Sequence, residues 1–103
     1  MLVRIIHTEE KMKNLIMFHG QECPHCQKMH PLVDKLEKET GVSVERLEVW
    51  HDDKNADLMR SKKDIISPHC GGQLRVPTFL NSDTGDVMCG EVEYNQLKSW
   101  ATK

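Results

Sequence analysis

Apolar residues gather at positions 15–18 in an unbroken run of four, with Asn14 before it and His19 after it. Short continuous runs of this kind read as strands buried on both faces. Upstream, residues 1–6 fit a short strand and residues 8–13 a polar turn or short helix. Met29, Leu32, Val33 and Leu36 then recur at i, i+3, i+4 and i+7, which predicts a helix from Pro24 to about Thr40. Gly41 stands where a helix-ending glycine belongs, and Pro31, inside the helix, removes a backbone bond and predicts a kink. Residues 42–50 read as a second strand, their apolar spacing broken once between Val44 and Leu47. Asp52 and Asp53 are natural N-caps for a helix over residues 54–66. Ser67-Pro68 and Gly71-Gly72 break the chain. Residues 76–80 read as a third strand that contains Pro77, and a turn at 83–86 returns the chain along 87–90 to close a hairpin. Residues 94–101 fit a last helix with Leu97, Trp100 and Ala101 turned inward. Strands alternating with helices, followed by a hairpin, imply an α/β fold: a central mixed sheet of about four strands with helices on both faces.

Composition narrows the class. A chain of 103 residues suits one compact domain with one core, spanning 1–103. Hydrophobic residues make up 38% and charged residues 29%, a globular rather than a disordered balance. Fourteen Lys and Arg against sixteen Asp and Glu leave a net charge of -2, so a nucleic-acid role has no electrostatic support. The local cluster Arg60-Ser61-Lys62-Lys63 is followed by Asp64 and reads as a solvated helix face. No run approaches the ~20 apolar residues of a membrane span. The N-terminal apolar stretch is too short for a secretory signal, with Glu9 and Glu10 close behind. A cytoplasmic, reducing setting without a membrane partner is the expectation; an organellar or exported origin stays open for a chain whose targeting segment has been removed.

Four cysteines are too sparse for a secreted disulfide scaffold. In a reducing compartment a close C-x-x-C pair reads as catalytic or metal-binding. Here the pair is Cys23-Pro24-His25-Cys26, flanked by His19 and His30. With Cys23 at the helix N-cap, Pro24 takes the first helical position, where its missing N–H costs nothing. Cys26 falls one turn along, on the same side. The positive end of the helix dipole and the unpaired N–H groups favour a thiolate at Cys23, the nucleophilic form. A protonated His25 would add to this effect and Glu22 would oppose it. The spacing H-x3-C-x2-C-x3-H also admits a metal reading. Against that reading, a helix between Cys26 and His30 restricts convergence, and zinc-ligand pairs are usually a dozen or more residues apart. Cys70, seven residues before Pro77, is a candidate third thiol able to resolve a mixed disulfide or carry a regulatory cap, or equally a plain loop cysteine. Cys89, in the return strand, reads as packing, and His7, His51 and His69 as ordinary surface histidines.

"CPHC" after an apolar strand, Pro31 eight residues beyond Cys23, and "RVPTFL" at residues 75–80 together resemble the thioredoxin-like superfamily over roughly residues 15–100. The resemblance implies a thioredoxin-like fold with Cys23 attacking and Cys26 resolving, and a cis proline, Pro77, set against the dithiol. Val76 would then offer its backbone to an incoming peptide as an added strand. No single subgroup matches. Glu22 stands where classical thioredoxins have tryptophan. Pro-His between the cysteines is similar to strongly oxidising periplasmic oxidases, whose inserted helical domain is missing. "RVPTF" is compatible with the glutathione groove of glutaredoxins, whose fuller binding pattern is not evident. Met17 occupies the position of the buried acid that thioredoxins use to move the resolving cysteine's proton.

The resulting expectation is a monomeric thiol–disulfide oxidoreductase acting on protein disulfides, with Cys23, Cys26, His25 and Pro24 as its catalytic set and Val76 and Pro77 meeting substrate. It would serve electron transport with no bound cofactor beyond the Cys23–Cys26 redox couple, drawing electrons from a reductase or a small thiol. The alternatives are a glutathione-dependent, glutaredoxin-like enzyme, or a non-catalytic metal- or iron–sulfur-binding module on the same fold.

Overall fold

A computed structural model describes residues 15–102; the expected strand at 1–6, the polar turn at 8–13 and His7 lie outside the described residues. The apolar run forms β1 (Leu15–His19), followed by helix α1 (Pro24–Thr40) and strand β2 (Val44–Glu48). Two helices, α2 (Asp53–Ser61) and α3 (Lys63–Ile66), lead through a 3-10 turn (Ser67–His69) to β3 (Thr78–Asn81), β4 (Asp86–Cys89) and α4 (Tyr94–Ala101). The strands lie in the order β2-β1-β3-β4. β1 runs parallel to β2, from Leu15↔Val44 to His19↔Glu48. β3 lies antiparallel to β1 and to β4, with Phe18↔Thr78 and Thr78↔Cys89 in register. The parallel pair needs a crossover, and α1 supplies it. This is the expected mixed sheet.

Alternation along β1 divides the core. Leu15 and Met17 join Met29, Val33 and Leu36 of α1, Phe79, and Leu97 and Trp100 of α4 on one face. Ile16 and Phe18 join Met59, Ile66, Cys70 and Leu80 on the other. Fully burying a side chain such as Phe18 or Phe79 contributes about 1.5–3 kcal/mol, and Phe79 also meets Trp100 edge to face at 5.5 Å. The buried Asn81 is satisfied: its amide donates to the Trp100 carbonyl, and its oxygen accepts from the Asp83 and Thr84 N–H groups of the hairpin turn.

The helix of residues 24–40 and the inward residues of α4 lie where periodicity places them, and Pro31 sits inside α1. Gly41 ends α1 with φ 78, its N–H bound to the Glu37 carbonyl. Several boundaries shift from expectation, three of them with a local cause. The expected helix 54–66 is broken at Lys62, whose N–H bonds back to the Met59 carbonyl in a tightened last turn. β2 stops at Glu48 because the Glu48 carboxylate takes the Trp50 and His51 N–H groups, turning the chain out of the sheet. β3 starts after Pro77, which has no N–H for the ladder. No helix among the described residues is long and apolar enough to cross a membrane.

Candidate functional site: a dithiol beside a cis proline

The site lies where β1 ends and α1 begins. Cys23 N–H donates to the Gly20 carbonyl at 3.1 Å, closing the turn that brings the chain off the sheet edge. Cys23 is the N-cap, in extended conformation, and Pro24 opens the helix. The Cys23 sulfur accepts the Cys26 N–H at 3.2 Å, doing the work that an N-cap oxygen does elsewhere. Both motif cysteines are free thiols and both are buried, Cys26 completely. Burial, reinforced by the hydrogen bond with Cys23, pushes the Cys26 thiol up to about 12. Cys26 is therefore held as a thiol, while Cys23 faces the helix N-terminus.

The Val76–Pro77 peptide bond is cis, and the Cys23 thiol points toward the Val76 carbonyl across 4.0 Å. Beside it runs a groove of about 300 Å³, walled by His25, Val76, Pro77, Cys89 and Glu91. His25 Nδ1 pairs with Glu91. That hydrogen bond holds the Glu91 carboxyl below its usual range, aided by the Lys28 charge and opposed by desolvation. A second cavity, of about 430 Å³, adjoins the groove at Arg75 and Val76 and reaches Trp50, Met59 and Arg60. The residues named from sequence thus converge, with the exception of Cys70.

Cys70 is not a free third thiol and Cys89 is not mere packing: the two form a disulfide, with Cα atoms 5.6 Å apart and a sequence separation of 19. The pairing has a topological cause. Register sets Cys89 opposite Thr78, and the chain break at residues 67–70 returns Cys70 to the same threonine. Thr78 Oγ1 lies 3.5 Å from the Cys89 sulfur and 3.9 Å from that of Cys70.

His19 and His30 meet edge to face, ring centroids 4.9 Å apart, and His30 shares a 3.1 Å hydrogen bond with Arg46. Burial and the neighbouring His30 lower the affinity of His19 for a proton; burial and the Arg46 charge do the same for His30. Among the described residues, no group of three or more His, Cys, Asp or Glu side chains is disposed to hold a metal ion.

Sequence reasoning missed the supports of this site. Glu48 accepts the N–H groups of Gln21, Trp50 and His51 at 2.7–3.2 Å, tying the turn before Cys23 to the turn after β2. Desolvation pushes its carboxyl up, but these donors outweigh it and hold Glu48 below the usual range. The Trp50 ring lies against Gly20, where a Cβ would meet the ring at 2.3 Å. His51 pairs with Glu22 at 2.8 Å, which raises the His51 proton affinity. Glu48, Trp50 and Glu91 carried no signal, because each acts across a separation that only the sheet closes.

No family model matches the chain, and no curated protein matches it. Solved structures do. A thioredoxin variant from Halobacterium salinarum shares 23% identity at a TM-score of 0.63, covering 93% of this chain and 80% of its own. The thioredoxin of Fasciola hepatica shares 22% at 0.61, over 95% and 88%. A glutaredoxin from Archaeoglobus fulgidus shares 19% at 0.58, over 91% of both chains. The chain has the thioredoxin fold, with its C-x-x-C dithiol at the mouth of the first described helix.

Proposed function

We propose that the protein is a thiol–disulfide oxidoreductase acting on protein disulfides, with Cys23 as nucleophile and Cys26 as resolving thiol. The observation that carries this reading is the asymmetry of the dithiol. Cys23 caps the helix and faces Val76; Cys26 lies one turn behind it, its N–H donating to the Cys23 sulfur and its thiol held protonated. A substrate strand lying along Val76 brings its disulfide to Cys23. The Cys23 thiolate attacks one substrate sulfur, forming a mixed disulfide and expelling the other sulfur as a thiolate that takes up a proton. Cys26 then gives up its proton and attacks the Cys23 sulfur; the Cys23–Cys26 disulfide forms and the second substrate sulfur leaves as a thiol. Met17 packs in the core cluster that holds both cysteines and carries no proton acceptor, so the departing substrate thiolate is the base for that last transfer. His25 and Glu91, hydrogen-bonded to each other, form a polar wall of the groove and orient substrate there.

Electrons return to the Cys23–Cys26 disulfide from a reductase or a small thiol. The cavity next to Val76 is lined by Arg75 and by Arg60, the latter paired with Asp57; the Arg75 guanidinium suits a carboxylate of glutathione and favours a second reading of the donor. A monomer in a cytoplasmic setting belongs to the same reading. Turnover of a protein disulfide with a thioredoxin reductase, and separately with glutathione, tests the proposal. The wild-type chain turns over with at least one donor, and Cys23→Ser falls to the uncatalysed background. Equal turnover by wild type and Cys23→Ser would overturn it.

A further inference from the structure

We propose that the Cys70–Cys89 disulfide is a second redox centre, opened from the groove by a low-molecular-weight thiol that attacks Cys89, and that its opening loosens the wall on which substrate lies. The first part stands on the disulfide alone; the second rests on the oxidoreductase reading above.

The two sulfurs differ in access. Cys70 is 2% exposed and sits in the core cluster with Ile16, Phe18, Met59 and Ile66. Cys89 is half-buried and lines the same groove as His25, Val76 and Pro77. A thiol entering the groove therefore meets Cys89, and the attacked sulfur is decided by access. The incoming thiolate bonds to the Cys89 sulfur, the Cys70–Cys89 bond breaks, and Cys70 leaves as a thiolate that takes a proton. A second small thiol attacks the adduct, forms the small-molecule disulfide and releases Cys89 as a thiol. Two thiols are oxidised and one protein disulfide is reduced.

Thr78 couples that event to the substrate wall. Its hydroxyl donates to the Arg75 carbonyl at 2.5 Å and lies within 3.9 Å of both sulfurs. Released and reprotonated, Cys70 presents a new S–H beside the Thr78 hydroxyl that now tethers Arg75. The covalent tie between residue 70 and β4 is lost in the same step, so residues 71–76, which end at the cis proline, are held at one end less.

The test uses reduced glutathione as the probe. In a Cys23→Ser/Cys26→Ser chain the first dithiol takes no part, and the fate of the second pair is read by acid quench and peptide mass analysis. The expected result is a glutathione adduct on Cys89 exceeding that on Cys70 by about tenfold, as access dictates. Adducts mainly on Cys70, or no reduction of the folded chain under conditions that reduce the urea-unfolded chain, would overturn the proposal. The wild-type chain, digested the same way, gives the same Cys89-to-Cys70 ratio and covers a failure of the serine variant to fold. For the second part, Cys70→Ala, which opens the tie and leaves Cys89 in the groove wall, raises KM for a protein disulfide about threefold or more with kcat nearly constant, and amide exchange quickens at residues 71–76. Unchanged exchange there would remove the coupling while leaving the redox centre. A Cys89 adduct in a protein without any turnover would leave the centre standing and remove the oxidoreductase reading instead.

Discussion

The two cysteine pairs of this protein are built on opposite plans. Cys23 and Cys26 are three positions apart on one helix turn, and the helix alone brings their sulfurs together. Cys70 and Cys89 are 19 positions apart, on a loop and a strand, and they meet only because the sheet sets Cys89 opposite Thr78. The first pair is a free dithiol at the tip of a dipole; the second is a closed tie that staples the chain before the cis proline to β4. A pair formed by local geometry opens and closes with little chain movement and suits turnover. A pair formed by topology changes the fold's connectivity when it opens, and suits support or control. Exchanging the roles of the two pairs by mutation should therefore fail, and the ways it fails separate chemistry from stability.

The largest effect is expected at Cys26. Cys26→Ser leaves the nucleophile at the N-cap but removes the resolving sulfur, so turnover stops after one event per chain. The measurement is the intact mass after mixing with a disulfide substrate, which gains the mass of one substrate half. A variant that keeps multiple turnovers would show that a sulfur other than that of Cys26 resolves the intermediate. Next in size is the tie. Closing a loop of this length removes roughly 3 kcal/mol of freedom from the unfolded chain. Cys70→Ala/Cys89→Ala should lose about that much in urea unfolding, whereas Cys26→Ser breaks no tie and loses only packing. Equal losses in the two variants would erase the contrast between a chemical and a structural pair.

The same contrast explains what the chain revealed before it was folded. The apolar run at residues 15–18, the i, i+3, i+4, i+7 set of α1 and the inward face of α4 are local patterns, and the helices and strands follow them closely. The N-cap placement of Cys23 is equally local. Pro77 was recognised through resemblance, and the structure sets its cis bond against Cys23. The second disulfide was invisible, because four cysteines allow three pairings and nothing in the spacing of Cys70 and Cys89 chooses among them. Glu91 under His25, Glu48 under Gln21 and Trp50 on Gly20 are likewise products of topology. The hairpin and the β2–α2 turn bring distant charges and rings to the dithiol with no signature in the chain.

A smaller effect tests that hidden support. Gly20→Ala puts a methyl group where the Trp50 ring now lies. Trp50 is 51% exposed, so the ring can swing outward rather than force the backbone apart, and the expected cost is about 1 kcal/mol, at the low end for overpacking. Trp50 fluorescence should shift to that of a fully hydrated indole, read in a Trp100→Phe background, and thiol trapping at Cys23 should change with it. An unshifted emission spectrum would mean that the ring does not rest on the turn before the dithiol.

The smallest effects are those of pH, and their signs oppose one another. Burial lowers the proton affinity of His19 and His30 below the ordinary value of 6.5. The unfolded chain then binds more protons than the native one in mildly acid solution. The stability these groups permit is present above about pH 6.5 and fades as pH falls through that value. His51 is the reverse case: Glu22 raises its affinity, so the Glu22–His51 pair contributes below pH 6.5 and is lost as pH rises through the folded value. The pair is exposed on both sides and screened by water, so the half-buried His19 and His30 should dominate and the urea midpoint should fall between pH 7 and pH 5. His19→Phe removes one of the two acid-sensitive groups and should flatten that fall. Glu22→Gln removes the opposing contribution and should steepen it. If Glu22→Gln leaves the curve unchanged, the Glu22–His51 pair contributes nothing to the folded state, and the turn before Cys23 is held by the Glu48 carboxylate without it.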